Sequence, residues 1–184
     1  MVDRNPVLEQ DRAEDLLDNW RKYGYVMFPQ QRSIYEHLAE RLNGADTLEA
    51  GCGVGVGSAL LERCSGQFTA TDKLVSSVDF AACLYPWIDF AVWDVEKPLP
   101  PERGPWEIVV AVEVIEHVAD AALAIRNLIG TGRVTREVWI STPNGAGKPR
   151  PPENPYHVQE YDPRDVIQMI RAARMECSIH VLGW

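Results

Sequence analysis

The chain has 184 residues, 46% of them hydrophobic, and a formal net charge of −9 at pH 7. This size suits a single domain with one continuous core, and the acidic balance argues against a large basic interface for nucleic acid. No apolar run reaches the roughly 20 residues of a membrane span. Met1 is followed by charged residues rather than by an apolar signal sequence. We therefore expect a cytoplasmic protein without membrane contact.

Two helices are predicted before the first strand. Residues 11–22 and 33–44 both place apolar side chains at helical spacing, and Ser33 has the residue type and position of an N-cap for the second helix. We therefore expect residues 1–44 to form a helical extension that acts as a lid, and residues 45–184 to form the main domain.

Strands and helices alternate through the main domain. Strands are predicted over residues 47–51, 68–72, 88–94, 107–112, 136–142 and 176–184, and helices over residues 56–64, 76–84, 121–129 and 165–175. This order predicts an α/β fold of the doubly wound, Rossmann-like kind, with a mostly parallel sheet covered by helices on both faces. Ligands of such sheets bind beyond the carboxyl ends of the strands, so the residues at those ends are the candidates for function.

The first predicted strand ends in a glycine-rich turn. Gly51, Gly53 and Gly55 alternate there, and glycine allows a positive φ and a close approach of the backbone to a ligand. The turn is compatible with a dinucleotide, because Ser58 can replace the third glycine of the GxGxxG pattern. Glu49 favours a different nucleoside cofactor, since its carboxylate would repel a pyrophosphate and attract the ammonium group of an amino acid.

Acidic residues also end the second and third strands. Asp72 lies 21 residues after Gly51, where a carboxylate can accept hydrogen bonds from both hydroxyls of a ribose. Asp94 could accept a hydrogen bond from the amino group of an adenine. Each carboxylate could instead cap a helix or a turn, so both interpretations stay open at this point.

The fourth strand ends in the segment VEVIEHV. Glu113, Glu116 and His117 are spaced i, i+3 and i+4, so a helix that began just after Val112 would place all three on one face. Two carboxylates and an imidazole can bind a divalent cation. The same residues could also line a pocket or begin a helix, where acidic side chains are favourable.

These blocks together resemble the class I S-adenosylmethionine-dependent methyltransferases. The matching features are the ExGxGxG turn, the acids after the second and third strands, VEVIEHV, STPN at 141–144 and NPYHVQEYDPRDV at 154–166. The resemblance covers about residues 45–184 and extends to the branch that contains the ubiquinone-biosynthesis O-methyltransferases and the general small-molecule methyltransferases.

The resemblance implies that S-adenosylmethionine is the cofactor. The residues that would contact it are Glu49, Ala50, Gly51, Cys52, Gly53 and Gly55 at the methionine end, Asp72 and Lys73 at the ribose, Asp94 and Val95 at the adenine, and Val112 and Glu113 at the end of the fourth strand.

The resemblance also implies a candidate metal site, because ExxEH at this place is similar to the metal motif of small-RNA 2′-O-methyltransferases and of some ubiquinone-pathway O-methyltransferases. The candidate ligands are Glu113, Glu116, His117 and His157, and the candidate metal is magnesium. His117 and His157 are also the candidate catalytic bases for an acceptor hydroxyl.

The sequence leaves the acceptor open. We favour O-methylation of a small or medium-sized molecule, with a metal-dependent RNA 2′-O-methyltransferase as the alternative. Duplex DNA is not favoured, because the Pro-Cys and Asn/Asp-Pro-Pro-aromatic signatures are missing after the fourth strand.

Two other classes of protein stay open: an NAD-dependent oxidoreductase and a non-catalytic methyltransferase-like subunit. The second is kept because the sequence stops at Trp184, where the family's last antiparallel strand would begin. A partner chain or a second copy would then complete the edge of the sheet.

Overall fold

A computed structural model describes residues 27, 29–99, 104–129, 134–148 and 152–173. The strands are β1 (Thr47–Ala50), β2 (Phe68–Asp72), β3 (Asp89–Val92), β4 (Trp106–Val112) and β5 (Val134–Ser141). They form one sheet in the order β3–β2–β1–β4–β5, and every neighbouring pair is parallel. The predicted parallel, doubly wound sheet is confirmed.

The helices lie on both faces of this sheet. They are α1 (Pro29–Leu42), α2 (Ser58–Leu61), α3 (Val75–Leu84), α4 (Ala121–Ile129) and α5 (Pro163–Ala172), with short 3₁₀ turns at Glu62–Cys64 and Ile115–His117. Successive residues of β4 enter two different hydrophobic clusters: Val109 packs with Leu128, and Val110 packs with Leu61. A strand buried on both faces explains why β4 is apolar without interruption.

Helix α1 begins earlier than the sequence predicts. It starts at Pro29, whose fixed φ suits the first position of a helix, and the Ser33 hydroxyl donates to the Pro29 carbonyl at 3.0 Å. Ser33 therefore bonds within the helix, and its prediction as the N-cap is wrong. The C-terminal end of α1 lies within two residues of the predicted end at residue 44. Asn43 and Gly44 end the helix, because they have positive φ values of 47° and 79°.

Helix α4 begins at Ala121, as the sequence predicts, but the chain between β4 and α4 does not form the helix that would begin just after Val112. Glu113 has a φ of 55°, and a 3₁₀ turn follows at Ile115–His117. A left-handed residue cannot continue a right-handed helix. The prediction of one helical face carrying Glu113, Glu116 and His117 is therefore wrong.

Two predicted elements lie outside the described residues: the helix over 11–22 and the last strand over 176–184. Within the described ranges, no helix combines the length and the apolar character that a bilayer crossing requires.

Candidate active site

A cleft lies over the carboxyl ends of β1, β2 and β4. It has two lobes, which contain about 600 Å³ and about 480 Å³ of open space and share Gly51 and Glu113 in their walls. The larger lobe extends over the end of β2 toward Asp72 and Trp93. The smaller lobe lies under the first turns of α1, where Tyr35 forms part of the wall.

The glycine turn forms the floor where the lobes meet. Gly51, Gly53 and Gly55 all have positive φ, at 75°, 54° and 81°. A Cβ on Gly51 would lie 2.5 Å from Cγ2 of Val114, so this glycine is required by packing. A Cβ on Gly53 would meet no described atom within 4 Å, which leaves that side of the turn open to a ligand.

Glu49 is buried beneath the glycine turn and is not among the described residues that line the cleft. Its side chain is fully buried, and its two oxygens accept hydrogen bonds from the Tyr35 hydroxyl at 2.7 Å and the Ser58 hydroxyl at 2.6 Å. Burial raises the pKa of Glu49 to about 7, although the hydrogen bonds from Ser58 and Tyr35 lower it and the nearby charge of Asp72 raises it further. The charge of Glu49 therefore changes around neutral pH, and its two hydroxyl donors favour the ionised form.

Asp72 joins the end of β2 to the glycine turn. Its Oδ2 accepts a hydrogen bond from the Gly53 amide at 2.9 Å, and its Oδ1 accepts one from the Leu74 amide at 2.9 Å. The carboxylate is only half-buried and forms part of the wall of the larger lobe. It is therefore held in place on one side while facing the cleft on the other.

Three apolar side chains form part of the wall of the larger lobe. They are Trp93, Val95 and Val118, and all three are buried. The indole of Trp93 is fixed because its Nε1 donates to the Lys97 carbonyl at 3.0 Å. Asp94 is engaged in its own turn, where Oδ1 accepts a hydrogen bond from the Glu96 amide at 3.0 Å.

Glu113 is held in its unfavourable backbone conformation by Ser141 at the end of β5. The Glu113 amide donates to the Ser141 carbonyl at 3.1 Å, and the Ser141 hydroxyl donates to Glu113 Oε1 at 2.9 Å. Burial raises the pKa of the Glu113 carboxyl, while the Ser141 hydrogen bond lowers it. Non-glycine residues with positive φ concentrate at functional sites, and Glu113 lies in the walls of both lobes.

Three of the four predicted metal ligands come together beside the cleft. Possible ligand atoms of Glu116, His117 and His157 all lie within 4.8 Å of one another, and among the described residues Glu113 is not part of this group. The fully buried Glu116 accepts a hydrogen bond from the Thr142 hydroxyl at 3.0 Å. His117 Nε2 lies 3.8 Å from the other oxygen of the same carboxylate.

The hydrogen bonds of the two histidines define their protonation. His117 Nδ1 lies 2.8 Å from the Tyr156 carbonyl, which can only accept, so Nδ1 carries the proton and Nε2 has the lone pair when the ring is neutral. His157 contacts Glu160 through Nδ1 at 2.8 Å and the Asn154 amide nitrogen through Nε2 at 2.9 Å. Both nitrogens of His157 are thus engaged within its own loop.

The loop that carries His157 is fastened to the 3₁₀ turn. The amides of Val158 and Gln159 both donate to the Glu116 carbonyl, at 2.7 Å and 3.3 Å. Lys148 Nζ lies 2.9 Å from Glu160, so this carboxylate joins two segments of the chain. Burial raises the pKa of Glu160, but the hydrogen bonds from Lys148 and His157 outweigh it and hold the pKa below its ordinary value.

Known proteins share this sequence pattern. The family described as "Methyltransferase domain" matches residues 48–135. A probable S-adenosylmethionine-dependent methyltransferase of Mycolicibacterium smegmatis is 30% identical over 154 residues, which make up 81% of this chain and 59% of the relative. A ubiquinone biosynthesis O-methyltransferase of Bordetella parapertussis is 28% identical over 125 residues, or 65% of this chain and 52% of the relative.

Solved structures share the fold. The crystal structure of magnesium protoporphyrin IX methyltransferase from Synechocystis with bound S-adenosylhomocysteine superposes with a TM-score of 0.68 at 16% identity, covering 92% of this chain and 89% of that one. The chain belongs to the class I S-adenosylmethionine-dependent methyltransferases. It spans between half and three fifths of the length of the two curated relatives.

The methyltransferase cleft includes most, but not all, of the residues that the sequence suggests. Among the described residues, the lobes are lined by Gly51, Cys52, Asp72, Lys73, Val95, Val112, Glu113 and His117, and not by Glu49, Ala50, Gly53, Gly55, Asp94, Glu116 or His157. Contact of any of them with the cofactor stays a prediction.

The sequence patterns did not indicate a role for Trp93 or Tyr35, which both line this methyltransferase cleft. Trp93 could have been found, because it lies at the end of a predicted strand, whereas Ser141, which holds Glu113, belongs to the STPN block that the sequence had singled out. Tyr35 gave no signal, since its role depends on a contact with Glu49 fourteen residues away.

Proposed function

We propose that this chain transfers the methyl group of S-adenosylmethionine to an oxygen atom of a small or medium-sized acceptor. The observation that supports this function best is the two-lobed cleft, whose lobes meet at Gly51 and Glu113. A nucleoside joined to an amino acid needs two such adjoining spaces. The class of the chain and the names of its relatives agree with the proposal.

The residues present fit this cofactor. Asp72 and Lys73 would hold the ribose, and the side chains of Trp93, Val95 and Val118 offer an apolar wall to an adenine. At the other lobe, the buried Glu49 would favour an ammonium group through its charge.

S-adenosylmethionine would supply a methyl group that is already activated on a sulfonium, so the chain has to orient the acceptor and exclude water. An acceptor hydroxyl would also lose its proton as its oxygen forms the new bond to the methyl carbon, while the bond between that carbon and sulfur breaks and S-adenosylhomocysteine leaves. His117 is the proposed base, because the hydrogen bond from Nδ1 to Tyr156 leaves Nε2 as the atom that accepts a proton.

A metal-dependent RNA 2′-O-methyltransferase is the second candidate. The grouping of Glu116, His117 and His157 favours it. The hydrogen bonds of His157 to Glu160 and Asn154 weigh against it, because a metal could take His157 as a ligand only by breaking one of them. Metal binding and RNA as acceptor therefore stay predictions.

Methylation assays with labelled S-adenosylmethionine, on a panel of catechols and on RNA, test the proposal. We expect a catechol to be methylated, EDTA to have no effect, and His117→Gln to lower kcat by about 10²- to 10⁴-fold. His37→Gln is the matched control, because this residue points away from Tyr35 on the opposite side of α1. Methylation of RNA alone, abolished by EDTA, would contradict the proposal and support the second candidate.

A further inference from the structure

Tyr35 connects helix α1 to the glycine turn. Its side chain is 7% exposed, and its ring lies against Gly57, where a Cβ would collide with it. Its hydroxyl donates to Glu49 Oε1 at 2.7 Å, and the ring also forms part of the wall of the smaller lobe. One side chain therefore contacts the turn, the buried carboxylate and the cleft.

The Tyr35 hydroxyl is one of two donors that stabilise a negative charge on Glu49. The other is Ser58, whose hydroxyl donates to Oε2 at 2.6 Å. A carboxylate excluded from water keeps its charge only when donors replace the lost hydration. Removing either donor would favour the protonated, neutral form of Glu49.

The other groups around Glu49 do not replace Tyr35. From β2, Asp72 contributes a like charge that opposes ionisation, while the Thr71 hydroxyl donates to the main-chain carbonyl of Glu49 at 2.8 Å. From β4, the residue that pairs with Glu49 in the sheet is the apolar Val110. From the glycine turn, Cys52 contributes a buried thiol, and burial raises the pKa of that thiol.

We propose that Tyr35 is a positioning residue of the methyltransferase site, because its hydroxyl, 2.7 Å from Glu49 Oε1, favours the ionised form of this carboxyl beneath the glycine turn. The charge on Glu49 then attracts the ammonium group at the methionine end of the ligand. Helix α1 thereby becomes part of the cofactor site. This inference rests on the proposed function for its effect on binding, but the link between Tyr35 and the charge of Glu49 is independent of any ligand.

The test compares wild type with Tyr35→Phe, which removes the hydroxyl and keeps the ring. S-adenosylhomocysteine affinity is measured by calorimetry between pH 6 and 9. We expect the wild-type affinity to rise as Glu49 ionises around pH 7. In Tyr35→Phe the rise should move about one pH unit higher, so that binding is about fivefold weaker at pH 7, approaches tenfold weaker toward pH 6, and recovers in alkaline buffer.

Two variants serve as controls for this measurement. Tyr85→Phe removes a hydroxyl from the end of α3, outside the residues that line the cleft, and should leave the profile unchanged. In the Glu49→Gln background, Tyr35→Phe should no longer shift the pH dependence, because the titrating group is gone. A profile of Tyr35→Phe that overlays that of wild type would overturn the inference.

A ligand-free measurement separates this inference from the proposed function. The pKa of Glu49 is about 7 in the folded protein and ordinarily 4.5, so the stability that this group contributes is present below pH 4.5 and is lost as the pH rises through 7. In Tyr35→Phe the loss should continue to higher pH, and the gap in unfolding free energy between the two proteins should widen above pH 7.

The two proposals fail in different ways. If wild type does not bind S-adenosylhomocysteine but the gap in stability widens, the proposed function fails and the link between Tyr35 and Glu49 stands. If wild type binds and neither pH dependence changes in Tyr35→Phe, the positioning role is contradicted and the proposed function stands.

Discussion

At the scale of single residues, the site is built from backbone conformations that most side chains avoid. Gly51 and Glu113, the two residues shared by both lobes, have φ values of 75° and 55°. Glycine adopts this conformation at little cost, whereas glutamate gives up roughly 1 kcal/mol or more. Ser141 holds Glu113 there with hydrogen bonds to its amide and its carboxylate. The position of this carboxylate therefore depends on β5.

Two glycines of the turn offer a matched pair of substitutions. Gly51→Ala should destabilise the fold by about 2 kcal/mol or more, because the new methyl group adds a clash with Val114 to the cost of positive φ. Gly53→Ala should cost only about 1 kcal/mol, since no described atom lies within 4 Å of its Cβ, but it should weaken S-adenosylhomocysteine binding. Urea unfolding and calorimetry measure the two effects. Equal losses of stability would contradict the expected difference in packing between the two positions.

At the scale of elements, the sequence predicts best what depends on local patterns. The strands from β1 to β5 and the glycine turn follow from apolar runs and from residue types that favour turns, and they agree with the structure. The turn at Glu113 does not follow from its sequence. Its spacing from Glu116 and His117 suits a helix, and the hydrogen bonds from Ser141 across the sheet prevent that helix from forming.

The segment around His157 shows the same limit. Its sequence offers two candidate ligand nitrogens, but Glu160 and Asn154 engage both of them. Asn154 Oδ1 accepts a hydrogen bond from the main-chain amide of Tyr156 at 3.0 Å. The side-chain nitrogen of Asn154, Nδ2, is therefore the atom that faces His157. Such a network depends on the whole loop, and the spacing of the residues alone cannot predict it.

Glu160 should make the attachment of this loop dependent on pH. Its pKa lies below the ordinary 4.5, so the stability it contributes is present above pH 4.5 and is lost as the pH falls through the folded value. Glu160→Gln should accelerate hydrogen exchange in residues 152–161 at pH 7, and the difference from wild type should shrink as the pH falls through the folded pKa of Glu160. Glu153→Gln, an exposed change in the same loop, is the control. Equal exchange in wild type and Glu160→Gln at pH 7 would contradict this prediction.

At the scale of the whole molecule, the order of the strands determines where the cleft lies. In the order β3–β2–β1–β4–β5, the chain leaves β1 toward one edge of the sheet and returns to β4 on the other side of β1. The crevice beyond β1 and β4 is the switch point at which parallel α/β sheets bind their ligands. Gly51 and Glu113 follow these two strands directly.

The overall charge bears on the acceptor. A net charge of −9 makes a polyanion such as RNA an unfavourable partner unless a local basic surface compensates. In the described part of the cleft, the lining residues include two carboxylates, Asp72 and Glu113, and one lysine, Lys73. These charges support a small neutral acceptor over RNA.

The central claim is that the cleft binds S-adenosylmethionine and not a dinucleotide, and calorimetry with S-adenosylhomocysteine and with NAD tests it most directly. We expect S-adenosylhomocysteine to bind with one site per chain and NAD to give no heat of binding under the same conditions. Binding of NAD without binding of S-adenosylhomocysteine would contradict the account and support an oxidoreductase. Failure of both ligands to bind would also contradict it, and would favour a methyltransferase-like subunit that does not catalyse a reaction by itself.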